Sequence, residues 1–176
     1  MDTLNNFISN FFPENFKYSS NRIDDDSVTL FFTTKTKTAT CPICGTKTSD
    51  YATYYERTVQ DLPILDKQTN IKIKFKKMRC SSSSCKVKYF NESLSDYVED
   101  NKRFSNRLID LLIKVSLTES AEAGSRLLKE KKIKVSPDKL LQLSKEYNYM
   151  VEKDNVISIG VDDFSLKKNI DMVLFL

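Results

Sequence analysis

Four cysteines, gathered into two close pairs, constrain this chain more than any other feature. Cys41-Pro42-Ile43-Cys44-Gly45 carries the first pair, and Cys80 and Cys85 form the second after a basic stretch. Tetrahedral zinc takes four soft thiolate ligands, and a short Cys-x-x-Cys turn presents two of them from one knuckle. Two residues lie between the first pair and four between the second, both within the spacing of zinc ligands. None of the cysteines is left over. The leading expectation is a structural Zn2+ held by Cys41, Cys44, Cys80 and Cys85 in a zinc ribbon.

Three other uses of cysteine compete with this reading. Disulfides need an oxidising compartment, yet the chain opens MDTLNNFISNFF, without a basic n-region or a small-residue cleavage site. A thioredoxin-like redox pair sits at a strand-to-helix junction, whereas Cys41 lies between two stretches rich in Thr and Lys. Unligated core cysteines rarely fall in two such pairs. The chain has no histidine, which removes His-containing zinc sites and His-based catalysis together.

With 176 residues and 40% hydrophobic content, the chain can bury a core, divided among two or three small units. No apolar run approaches the ~20 residues of a membrane span. The expectation is therefore a cytoplasmic protein with no membrane partner. Charge is unevenly spread: residues 41–90 hold ten Lys/Arg against four Asp/Glu, so +6 of basic excess sits on the cysteine module. Such an excess points to a polyanion, because neutralised phosphates release counterions; a basic surface kept only for solubility is the plainer alternative.

Along the chain, Leu4, Phe7, Ile8, Phe11 and Phe12 recur at helical spacing before Pro13, which predicts a short N-terminal helix docked on a core. Ser27–Thr34 reads as a strand. Tyr51–Thr58 and Ile71–Met78 read as the strands of the ribbon, with Asp61-Leu62-Pro63 as the break between them. In the second strand Ile71, Ile73 and Phe75 alternate with Lys72, Lys74 and Lys76, so one face can pack while the other meets phosphate. With Lys77 and Arg79, these lysines are the expected phosphate contacts.

From about Phe104 the period becomes helical. Leu108 to Val115 marks one helix and Ser120 to Lys132 a second. Ser136 offers an N-cap to a third, with Pro137 at its first position and Asp138 suited to the helix dipole. Three short helices with a tight turn before the last suggest a helix-turn-helix, although plain three-helix packing gives the same periodicity. Residues 126–145 carry seven Lys/Arg against Glu130 and Asp138. Lys139, Gln142 and Lys145 are the expected groove-facing residues of the third helix. Val156 to Val161 is then a β-rich run ending at Asp162-Asp163, where a divalent-metal ligand and a solvated turn are both reasonable.

Taken in order, CPICG, YYERTVQDLPI, IKFKKMRCSSSSC and YFNE resemble the N-terminal zinc ribbon of the ISL-three family of bacterial insertion-sequence transposases. The resemblance runs on through VSPDKLLQL to IGVDDFSLKK. It implies a multi-part α+β fold: a four-cysteine β ribbon, a three-helix helix-turn-helix, and the first strand of an RNase H-like α/β domain. The expected parts are an N-terminal helix and strand at 1–40, the ribbon at 41–92, the helix-turn-helix at 100–150 and the start of the catalytic domain at 155–176.

By the same resemblance the four cysteines are zinc ligands and Ser136 to Leu143 is the recognition helix. Asp162 matches the first carboxylate of a DDE triad that uses Mg2+ in the complete enzyme. The implied partner is DNA, the terminal inverted repeats of an insertion element, with a homo-oligomer left open. The chain departs from the family in ending fourteen residues after Asp162, and in reading Asn169-Ile170-Asp171 where a Gly-His turn is usual. It reads as a truncated or frame-interrupted product, and a piece cut from a longer chain would read the same. Adjacent on an expected strand, Asp162 and Asp163 would tend to point to opposite faces and could not make a two-metal site alone, so no catalysis is expected of these residues by themselves. The apolar Val173–Leu176 tail is expected to be disordered, to dock on the helices or to pair with another chain. Two alternatives stand beside a DNA-binding remnant: part of an active transposase whose C-terminal half is missing, and a zinc-ribbon module that binds protein.

Overall fold

The computed structural model describes residues 7–148. The expected strand at 156–161, Asp162 and the Val173–Leu176 tail lie outside the described residues, as does Leu4 of the N-terminal stripe. Of the rest of that stripe, residues 7–9 are helical, and Ile8 and Phe12 pack against the core. Phe7 and Phe11 instead remain exposed and meet edge to face, their centroids 5.1 Å apart.

Strands β1 (Phe16–Ile23), β2 (Ser27–Thr34), β5 (Tyr51–Ile64) and β6 (Lys67–Arg79) form one sheet in the order β1-β2-β6-β5. A short β7 (Tyr89–Asn91) joins β6, while β3 (Ala39–Thr40) and β4 (Lys47–Thr48) make a separate two-stranded hairpin that carries the first knuckle. β1–β2 and β5–β6 are antiparallel, and β2 runs parallel to β6. The residues read as a ribbon thus share their sheet with the N-terminal strands. β1 is a strand that the sequence did not announce, because only Phe16 and Tyr18 of its eight residues are buried.

The hairpin between β5 and β6 turns elsewhere than expected. Asp61-Leu62-Pro63 lies inside β5, where the register slips between Asp61 and Ile64. A bulge suits Pro63, which has no N–H to give to the ladder. The turn itself is Leu65-Asp66, both with positive φ (48° and 57°), the conformation of a tight two-residue hairpin. Asn-Gly usually fills such a turn, so Leu-Asp gave no sequence signal.

Alternation along β6 is as expected. Ile71, Ile73 and Phe75 are buried with Phe16, Tyr18, Leu30, Phe32 and Val59, and Leu94, Tyr97 and Val98 close the core from the segment after β7. β2 and β7 flank the same edge of β6 and leave one backbone donor between them. Glu92 fills that gap: its buried Oε1 accepts from the Lys76 N–H at 2.7 Å and from the Thr34 hydroxyl.

Helices α1 (Asn106–Thr118), α2 (Ala121–Glu130) and α3 (Pro137–Asn148) follow the expected order. Each starts at a serine whose hydroxyl accepts an N–H of the first turn: Ser105 from Leu108, Ser120 from Ala123 and Ser136 from Lys139. α2 stops two residues earlier than expected. Lys132 adopts a positive φ (60°), and the Ile133 N–H returns to the Leu128 carbonyl at 2.8 Å. Leu108, Leu112, Leu128, Ile133, Leu140 and Leu143 form the helical core. Gly124 lets the helices approach, since a Cβ there would lie 3.0 Å from Val115 Cγ1 and 3.2 Å from Leu140 Cδ1.

Asp61 joins the sheet to the helices. It is 1% exposed, and its carboxylate accepts from the Tyr97 hydroxyl (2.6 Å), the Ser105 hydroxyl (2.6 Å), Arg107 Nε (2.7 Å) and a second Arg107 nitrogen. Burial opposes its charge, but these donors outweigh burial and hold its pKa below the usual 3.8. The same carboxylate raises the Tyr97 hydroxyl well above its ordinary range, after burial as the larger cause.

Asp61→Asn is expected to cost about 3 kcal/mol in urea unfolding at neutral pH, because it leaves Arg107 unpaired beside a buried amide. A depressed folded pKa contributes stability above the ordinary carboxylate value and loses it below. The gap between wild type and variant should therefore narrow as pH falls below about 3.8. A gap that did not change with pH would show that the charge of Asp61 is not what stabilises the join.

Candidate metal centre and basic sheet face

The first knuckle is held by the backbone before any metal is considered. The Gly45 N–H donates to the Cys41 carbonyl, and the Cys41 N–H to the Thr46 carbonyl, each at 2.9 Å. Gly45 has a φ of 74°, which explains glycine immediately after the second cysteine. The second knuckle leaves the end of β6, where the Cys80 N–H donates to the Lys88 carbonyl at 2.9 Å. Cys41, Met78 and Phe90 pack beneath the two knuckles, with Ala39 and Val87 beside them.

This arrangement brings together four sulfurs from residues that are far apart in the chain. Cys41 and Cys85 Sγ are 3.9 Å apart, Cys44 and Cys80 Sγ 3.5 Å, and all four lie within 4.8 Å of one another. A zinc tetrahedron with Zn–S bonds of about 2.3 Å has edges of about 3.8 Å. Disulfides would need sulfurs about 2.05 Å apart. The cysteine set therefore fits tetrahedral zinc and does not fit two disulfides.

Electrostatics supports a dication here. Hydrogen bonding to the Thr46 hydroxyl and amide brings the Cys44 thiol down to about 6. Against the pull of the Ser82 amide, desolvation and the neighbouring sulfurs push Cys80 up to about 12. Against the Val87 amide, desolvation and the Cys44 and Cys41 sulfurs raise Cys85, while Cys80 lowers it. The Cys44 thiolate thus forms readily while Cys80 and Cys85 resist ionising, and a cation among the sulfurs would offset that resistance.

The five cations expected at phosphate divide between two faces. Lys72, Lys74 and Lys76 occupy the face of the sheet opposite the core, as their even positions in β6 require. Lys77 and Arg79 fall on the odd face, where both stand over the Tyr89 ring and Arg79 also pairs with Asp50 at 3.1 Å. On α3, Ser136 is used as the cap, while Gln142 and Lys145 are exposed and Lys139 is half-buried. Lys139 Nζ donates to Gln142 Oε1 at 3.1 Å, and Gln142 Nε2 to Glu146 at 2.7 Å, which makes a polar chain along that helix. Lys132 is tied to Asp26 at 2.7 Å.

Sequence reasoning missed the aromatic partners of these cations. Tyr51, Tyr54, Tyr55 and Tyr89 are all exposed, and a lysine or arginine stands over each ring. The signal was present as Tyr51-x-x-Tyr54-Tyr55 in a strand facing the lysines, but it depended on the pairing register. Among the described residues, no helix is long and apolar enough to cross a membrane.

Residues 37–85 match the family model described as the zinc-finger of transposase IS204/IS1001/IS1096/IS1165. All four clustered cysteines lie within that span, and with the cluster the match suggests a structural zinc. No curated protein and no solved structure matches the chain.

Chelator-stripped protein should take up one equivalent of zinc and release protons as the thiols ionise. Cobalt in its place should give the visible absorption of a tetrahedral thiolate site, lost in Cys80→Ser. Metal uptake that survived in Cys80→Ser would place the ion elsewhere.

Proposed function

We propose that this chain, which carries the zinc ribbon of the IS204/IS1001/IS1096/IS1165 transposases, serves as the N-terminal DNA-binding region of such a transposase. The observation that carries the reading is a ribbon matching this family whose central strand lines up Lys72, Lys74 and Lys76 on the sheet face opposite the core, Lys74 exposed and the other two half-buried, with Lys76 Nζ donating to the Thr36 carbonyl. In this reading Zn2+ held by Cys41, Cys44, Cys80 and Cys85 is structural, fixing β6 and β7 against the β3–β4 hairpin. The DNA is the terminal inverted repeat of the element.

The helical segment is the second part of the proposed interface. α2 and α3 are read as a helix-turn-helix, joined by Lys131–Ser136, with α3 as the recognition helix. Its exposed Gln142 and Lys145 would face the groove, with Lys139 beside them, while Lys77 and Arg79 would meet phosphate from the odd face of β6. Residues 155–176 are read as the start of an RNase H-like domain, with Asp162 as the first carboxylate of its Mg2+ site. A two-metal site needs carboxylates on several elements, so residues 1–176 alone are read as binding DNA without cutting or joining it.

Fluorescence anisotropy of the zinc-loaded full chain on duplexes tests this reading. The Lys72/Lys74/Lys76→Ala variant should weaken binding to any sequence and lower the salt slope by about 3, roughly 0.9 for each phosphate no longer neutralised. Gln142→Ala should lower the preference for the element's ends over a scrambled duplex by about 1–3 kcal/mol. Salt-insensitive binding, or none, would turn the assignment to a protein-binding ribbon.

A further inference from the structure

The even face of β6 carries aromatic rings as well as charge. Tyr54 stands opposite Lys76 across the β5–β6 pairing, and Tyr51 opposite Met78. The two rings are 5.3 Å apart, with their planes 55° to each other. Lys74 Nζ lies 5.0 Å from the Tyr54 centroid, Lys76 Nζ 5.7 Å from Tyr51, and Lys72 Nζ 5.8 Å from Phe31. Tyr51 is 49% exposed and Tyr54 39%.

Duplex DNA can use the lysines of this surface through its phosphates, but it has little use for the rings. Its bases are already stacked, and an exposed ring face finds only phosphate, sugar or groove edges. The sheet is also too broad to enter a groove. Four strands about 4.8 Å apart span roughly 14 Å between their outer axes before side chains are added, against a major groove of about 12 Å. Flat rings interleaved with ammonium groups match single strands, whose bases stack on aromatics while the backbone follows a line of cations.

We infer that the even face of β6 is a stacking platform for unpaired DNA bases, with Tyr51 and Tyr54 holding bases and Lys72, Lys74 and Lys76 the phosphates. The inference rests on the DNA-binding reading and deepens it, because it adds unpaired bases, held by the rings, to the duplex phosphates that the same lysines meet. Lysine–tyrosine pairs across a hairpin also stabilise the hairpin itself, and the experiment has to separate the two roles.

The test uses zinc-loaded full chain, a fluorescein-labelled oligothymidylate and a blunt duplex at one fixed salt. Tyr51→Ala/Tyr54→Ala should weaken oligothymidylate binding by at least about fivefold and leave the duplex unchanged. Tyr51→Phe/Tyr54→Phe should restore single-strand binding, since the ring is kept. A second readout needs no variant: the chain has no tryptophan, so its tyrosine emission should be quenched by oligothymidylate. Absence of quenching, or equal losses on both probes, would overturn the inference. Duplex binding that falls in Lys72/Lys74/Lys76→Ala while oligothymidylate does not bind would overturn the platform and leave the DNA-binding reading standing. No binding of either probe would remove both.

Discussion

Strand β6 is hydrogen-bonded on both edges, and the rest of the molecule is arranged about it. β5 takes one edge, while β2 and β7 share the other. Its period of two then separates roles residue by residue. Ile71, Ile73 and Phe75 fix the sheet to the core, while Lys72, Lys74 and Lys76 are turned outward. A slip of one residue would bury three ammonium groups, so core packing enforces the position of every cation on the face. The strand also delivers Cys80 to the cysteine cluster at its far end. Packing, charge and ligation are thus set by a single register.

Two buried carboxylates keep that register in place, and neither has a metal or catalytic part in the proposed function. Glu92 takes the backbone donor left where β2 and β7 fail to meet. Asp61 gathers two hydroxyls and an arginine, and so ties β5 to Tyr97 and to the start of α1. Unpaired, each would be costly in the interior; Asp61 is surrounded by donors, while Glu92 is bonded through Oε1 alone and keeps Oε2 buried without a partner, and each makes one arrangement of neighbouring segments favourable over others.

How much of this could be read from the sequence depended on how local the signal was. The cysteine knuckles, the alternation in β6 and the Ser136 cap each rest on a few adjacent residues, and the structure brings them out at the expected places. The Leu65-Asp66 turn was missed because neither residue is a usual one at positive φ, while Asp61-Leu62-Pro63 imitated a break that is a bulge. β1 was missed because six of its eight residues face solvent. The tyrosine–lysine ladder is legible only after the register is known, since its members come from two strands. Asp162 was read from resemblance and lies outside the described residues.

The parallel pairing of β2 with β6 also bears on how the chain reaches this fold. Parallel neighbours cannot be joined by a tight turn, and here the path between them runs through both strands of the β3–β4 hairpin, the first knuckle and β5. Closing that path costs chain entropy before any contact repays it. An ion shared by Cys41, Cys44 and Cys80 would pin the far end of β6 beside the chain that follows β2 and so shorten the remaining search. The ion would then act as an early clasp in assembly, and free metal concentration would influence how fast the sheet completes as well as how firmly it holds.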